Sequence, residues 1–124
     1  MRYFVLFLTV YFFGWSIGAS AQNKIPTANI SGKNHGFISV KELLNADSLS
    51  LTDTNAHVIS FRCSIYKPGG DSLIFKISSQ KFSSELKEAI PALPKGTKIY
   101  FEFIIGTLSD GTKPALSPLG FTLK

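Results

Sequence analysis

A chain of 124 residues leaves room for one domain, and a single cysteine, Cys63, excludes an internal disulfide as a source of stability. Thirteen Lys and Arg against eight Asp and Glu give a formal charge of +5. That excess is mild and scattered along the chain, which argues against a nucleic-acid groove, where basic residues gather on one face.

Residues 1–21 read as a secretory signal peptide. Arg2 is the only charge before Lys24, residues 3–17 are nearly all apolar, and Gly18-Ala19-Ser20-Ala21 puts small residues at both cleavage-site positions. Cleavage falls between Ala21 and Gln22, leaving 103 residues with a formal charge of +4 once Arg2 is gone. An uncleaved signal anchor is the rival reading, because the apolar length approaches the roughly 20 residues a helix needs to cross a bilayer. Gly14, Gly18 and the Ala-Ser-Ala box favour cleavage, and no cysteine follows the apolar run to carry a lipid. The expected location is the periplasm or the cell exterior, with no membrane insertion after cleavage.

Residues 22–124 form the single expected domain. They begin as a polar leader with Pro26, pass through a short strand at residues 28–31, and reach Gly32-Lys33-Asn34-His35-Gly36, a loop by composition. Ser39-Val40-Lys41-Glu42 fits a capping box, in which the serine oxygen and the glutamate side chain each satisfy a backbone N–H at a helix start. It predicts a helical turn over residues 40–45 with Leu43 and Leu44 inward. Residues 47–55 are rich in Ser, Thr, Asp and Asn, and Leu49 and Leu51 at strand spacing predict a loop with a short edge strand.

Alternation is clearest in residues 57–66, where His57, Ile59, Phe61, Cys63 and Ile65 share one face and Ser60, Arg62 and Ser64 the other. Lys67-Pro68-Gly69-Gly70-Asp71 turns the chain, and Leu73, Phe75 and Ile77 then alternate with Ser72, Ile74 and Lys76, so the two strands make a hairpin. Ser83 caps a short helix with Leu86, Ala89 and Ile90 at helical spacing, stopped by Pro91 and Pro94.

Residues 94–111 are the predicted centre of the sheet: between a Pro-Lys-Gly turn and an Asp-Gly turn, Ile99, Phe101, Phe103 and Ile105 fall on every second residue. Pro114 and Pro118 mark a poor stretch for strand, and Leu119, Phe121 and Leu123 face inward from a last strand. The fold class is therefore mainly β, an antiparallel β-sandwich-like module with one or two short helices.

No catalytic, cofactor or metal site is expected. None of the eight acids forms a recognisable pair with a placed base. Cys63 at the centre of an apolar face reads as a small buried hydrophobe, and His57, six positions away on one strand, is roughly 20 Å distant, too far for a dyad. Two histidines and one cysteine without close spacing do not make a zinc site. Asn45, Asp47, Asp53 and Asn55 lack the spacing and central glycine of a calcium loop, so Asx turns are expected there.

Two other features mark candidate sites. Asp47-Ser48-Leu49 and Asp71-Ser72-Leu73 match the Asp-Ser/Thr-apolar pattern of O-glycosylation in Bacteroidetes, which makes Ser48 and Ser72 candidate acceptors. Val58, Tyr66, Ile74, Tyr100 and Ile104 lie opposite the main core faces of their strands and are more apolar than a wet surface requires. Either a second layer covers them, or they form an interaction face for another protein.

Taken in order, Ile38-Ser39-Val40-Lys41-Glu42-Leu43-Leu44, Val58-Ile59-Ser60-Phe61, Phe82 followed by Leu86 and Ile90, Lys95-Gly96-Thr97-Lys98-Ile99-Tyr100-Phe101-Glu102, Asp110-Gly111 and Leu119-Gly120-Phe121-Thr122-Leu123-Lys124 resemble the C-terminal domain of GldM. That family is the gliding-motility and type IX secretion motor protein of Bacteroidetes. The resemblance spans residues 25–124 and implies a periplasmic β-rich domain that contacts other envelope proteins, in a family whose members dimerise. The long periplasmic region that precedes the domain in the family is expected to be absent here, where a signal peptide is read instead. The expectation is therefore a non-enzymatic binding module rather than a motor, its partner another envelope protein or a second copy. The alternative is a small-molecule or glycan-binding β module using Tyr66 and Tyr100 as stacking aromatics.

Overall fold

The structure, a computed structural model, describes residues 25–53 and 55–124; the signal-peptide segment lies outside the described residues. In chain order they form β1 (Ala28–Asn29), β2 (His35–Ile38), α1 (Val40–Ala46), β3 (Ser50–Leu51), β4 (His57–Tyr66), β5 (Ser72–Ile77) and α2 (Ser84–Ala89), which tightens into a 3-10 turn (Ile90–Ala92). Then come β6 (Lys98–Thr107), β7 (Ala115–Leu116) and β8 (Leu119–Leu123). The protein is mainly β with two short helices, the class its alternation predicts.

Strand β6 is the centre of the larger sheet. It pairs with β4 along one side, from His57↔Thr107 to Tyr66↔Lys98, and with both β8 and β7 along the other. Beyond these, β5 flanks β4 and β2 flanks β8, giving the order β2-β8-β6-β4-β5. All these pairings are antiparallel except β2 with β8, which run parallel. A two-stranded ribbon of β1 and β3 makes the second sheet.

Helix α1 starts where the sequence places it. Ser39 Oγ accepts from the Glu42 N–H and Glu42 Oε1 from the Ser39 N–H, each at 3.0 Å, and Lys33 adds an ion pair to Glu42 at 2.9 Å. The Lys33 ammonium, and then the Ser39 N–H, hold the Glu42 carboxyl down to about 2. Helix α2 is capped by Ser83, whose Oγ accepts from the Leu86 N–H at 3.3 Å. Helices this short are marginal alone, and both are docked through completely buried leucines, Leu43 and Leu86.

The core lies between the inner face of the large sheet and a layer made by the helices and the β1–β3 ribbon. Its centre is aromatic. Phe101 stacks on Phe82 with ring centroids 5.7 Å apart and meets Phe61 and Phe121 at 5.9 and 6.3 Å. Cys63, completely buried in this face, has its thiol pushed up to about 12 by burial and then by the nearby Glu102 charge.

Two bulges correct the predicted faces. Between Val58↔Gly106 and Ser60↔Ile105, β4 holds one extra residue, Ile59; between Ser60↔Ile105 and Arg62↔Glu102, β6 holds one extra in turn. The overall register is restored, but the ends of both strands are turned over relative to strict alternation. Phe103, expected in the core, has φ of 51° and is 65 % exposed, while Ile104, expected outside, is completely buried. Val58 is likewise buried and Ile59 exposed. Val58 and Ile104 therefore belong to the core and leave the predicted interaction face.

Two strands lie where composition indicated none. Residues 35–36, read as loop, open β2, which is held by parallel pairing to β8, with Gly36 opposite Phe121 and Ile38 opposite Leu123. Strand β7 fits between Pro114 and Pro118 because two residues suffice to pair with Ile104 and Ile105.

Candidate functional site on the outer sheet face

Because helices and ribbon supply their apolar side chains to the inner face, the described residues leave the outer face of the large sheet open. Across it run rows of directly opposed residues. One reads His35, Gly120, Tyr100, Ser64, Ile74 from β2 to β5; the next reads Phe37, Thr122, Lys98, Tyr66, Ser72. A third, over the central strands, reads Glu102, Arg62, Lys76. Large hydrophobic side chains stand exposed along these rows: Phe37 at 63 %, Ile74 at 54 %, Tyr66 at 45 % and Tyr100 at 38 %.

Three of the five residues expected on an interaction face are thus together. Tyr66 and Tyr100 meet edge to face, with centroids 5.8 Å apart at 63°, and Ile74 lies opposite Ser64 one strand away. Tyr100 lies over Gly120, where an added Cβ would come within 3.1 Å of the ring. The glycine gives the aromatic side chain a flat seat on the sheet.

Between the tyrosine pair and Phe103 sits a preordered polar cluster. Arg62 donates to Glu102 Oε2 through Nη2 at 2.9 Å and Nε at 3.2 Å, and Ser64 Oγ, in a completely buried residue, donates to the same oxygen at 2.6 Å. These donors, Ser64 first and Arg62 next, hold the Glu102 carboxyl below the usual carboxylate range. The Arg62 guanidinium carbon lies 4.4 Å from the centroid of the Phe103 ring, a cation–π contact.

Two shallow hollows open on this face. One of about 420 Å³ is walled by Phe103 and Arg62 on one side and by Lys76 and Ser78 on the other. A smaller one of about 190 Å³ lies between Phe37, Lys98 and Tyr100, with Gly120 in its lining.

The remaining residues weighed in the sequence lie apart from this face. His57 is exposed at the start of β4 and Cys63 is buried in the core, so they point to different environments. Among the described residues no three His, Cys, Asp or Glu side chains come together as a metal-binding group. Ser72 is exposed where β5 begins. Ser48 is half-buried after α1, its Oγ 3.4 Å from the Ala46 carbonyl, in an isolated bridge to Lys81.

Sequence reasoning missed Phe37, Ile59 and Phe103 as members of the open face, and put Arg62 and Lys76 on it without marking them as candidate site residues. Arg62 and Lys76 had a signal, since both fall on the polar side of their strands. Phe103 had none, because only the bulge turns it outward. No protein-family model matches the chain, and no curated protein sequence matches it.

Proposed function

We propose that this chain is an exported, non-enzymatic protein-interaction module of the cell envelope that binds its partner through the outer face of the large sheet. The observation that carries the reading is the grouping of Phe37, Tyr66, Ile74, Tyr100 and Phe103, all exposed, on one side of one sheet. Exposed aromatics around an ordered arginine have the composition of protein-binding hot spots, where Tyr and Arg are enriched. The resemblance to the GldM C-terminal domain supports the same class, with motility or secretion proteins, or a second copy, as partners. The glycan-binding alternative is less well supported, since the 63° angle between Tyr66 and Tyr100 gives an edge and a face rather than a coplanar platform for sugar rings.

The test is affinity purification of the C-terminally tagged chain from its native envelope, in wild type and in a Tyr66→Ala/Tyr100→Ala variant. The expected result is an N-terminus at Gln22 with motility or secretion components that the variant loses. Recovery of a cleaved wild-type protein alone and monomeric would overturn the reading in favour of ligand binding.

A further inference from the structure

We propose that the free edge of β5 docks an extended acidic segment of a partner protein, adding it as a further strand and seating one of its carboxylates across Lys76 and Arg62. This rests on the reading of the chain as a protein-binding module and specifies the chemistry of what it binds.

Among the described residues strand β5 is bonded only to β4, so the backbone groups along its other side form an open edge. Such an edge is a template for an incoming strand unless something blunts it. Ser72–Ile77 carries no proline, and none of its register with β4 is interrupted by a bulge; its one guard is Lys76, which turns away strands that bring no carboxylate to it. On its inner side Leu73 and Phe75 are only half-buried, whereas Cys63 and Ile65 beside them on β4 are completely so. An added strand with apolar residues on that side would finish their burial.

Charge selects the partner. Arg62 and Lys76 are directly opposed on the outer face, and like charges in that position destabilise a sheet. Glu102 is the one carboxylate in the row, and its Oε2 already takes Arg62 and Ser64. No described carboxylate lies within ion-pair distance of Lys76. The row thus keeps a positive charge in excess. The hollow of about 420 Å³ beside it offers the Phe103 ring to the methylenes of an acidic side chain and Lys76 to its carboxylate. Arg62 uses Nε and Nη2 on Glu102, which leaves Nη1 to donate to a newcomer.

A second copy meets these demands less well. Antiparallel pairing of β5 with itself about Ile74 sets Ser72 opposite Lys76 and brings no carboxylate to the row. An anionic glycan would neutralise Lys76 but supplies neither the backbone pattern of a strand nor cover for Leu73 and Phe75. The segment expected has apolar residues at alternate positions and Asp or Glu where it faces Lys76.

The test is an amide NMR titration of the full exported chain with two blocked heptapeptides, Val-Thr-Val-Glu-Val-Thr-Val and its counterpart with lysine at the centre. The expected shifts fall on residues 72–78 and on Arg62, with the glutamate peptide bound about three- to fivefold more tightly, as one exposed ion pair allows. Lys76→Glu, an exposed substitution, reverses that preference. Equal binding of the two peptides, shifts that avoid β5, or a preference that survives Lys76→Glu would overturn the proposal. So would dextran sulfate moving these amides where the peptides do not, or concentration-dependent changes at β5 with no peptide present, which would assign the edge to a glycan or to a second copy. If the peptides fail while Tyr66→Ala/Tyr100→Ala still strips partners from the purified protein, the edge proposal falls and the interaction-module reading stands.

Discussion

On the inner face of the sheet Phe101 is completely buried; on the outer face Phe103, two residues further along β6, is 65 % exposed. The same side chain, on one strand, is in one case packed among three other phenylalanine rings and in the other laid against a guanidinium in solvent. Burial sets the inner position. At the outer one the backbone adopts φ of 51°, a region that costs a bulky residue roughly 1–2 kcal/mol, to turn the ring out and Ile104 in. The inner face is arranged for cohesion, while the outer face keeps apolar surface exposed, and the strain at Phe103 is offset by burying Ile104.

Truncating each of the two rings should produce the largest difference. Phe101→Ala should cost about 3–5 kcal/mol in urea unfolding, as a large cavity in an aromatic cluster does, whereas Phe103→Ala should change stability by less than about 1 kcal/mol. Similar losses at the two sites would mean that the outer face is covered in the folded protein.

The strained backbone at Phe103 should also show in the choice of small residue. In an ordinary strand glycine is worse than alanine, but at φ of 51° the order should invert, with Phe103→Gly more stable than Phe103→Ala by about 1 kcal/mol in the same assay. The usual order would show that the bulge relaxes at no cost.

The tyrosine pair should give an effect of similar size. An edge-to-face contact adds about 0.5–1.5 kcal/mol, so Tyr100→Ala should lower the unfolding midpoint slightly while abolishing partner recovery. A variant that unfolds outright would place Tyr100 among the structural residues instead.

Acid separates the two layers most gently. Glu42 in the inner layer and Glu102 on the outer face both have carboxyls held below their ordinary values, Glu42 at about 2. In acid the unfolded chain therefore binds more protons than the folded one, and the stability these groups contribute is full above roughly pH 5 and is lost as pH falls toward 2. Thermal melts between those limits should show a falling midpoint, flattened more by Glu42→Gln than by Glu102→Gln. Equal slopes in both variants and the parent would remove these carboxylates from the account.

Much of the architecture is legible in local pattern. The Ser39 capping box, the Ser83 cap, the Pro-Gly-Gly turn and the alternation of residues 119–123 each act within a few residues, so each element they predict is present. The outer face is legible in part: Tyr66, Ile74 and Tyr100 lie where period two puts them. What the pattern misplaces is non-local. Residues 35–36 look like loop because a parallel strand is held by a partner more than eighty positions away.

The ends of β4 and β6 show where local reading stops. Alternation is a property of one strand, and it gave Phe61, Cys63, Ile65, Ile99 and Phe101 their correct side. A bulge is a property of two strands, arising when their pairing is better served by an extra residue on each than by strict opposition. The amino-acid order by itself therefore determined both helices, the hairpin and the central strand, but not β2 or β7, which exist only through their pairing with β8 and β6. Which phenylalanine faces the core and which faces solvent was decided only when β4 and β6 met.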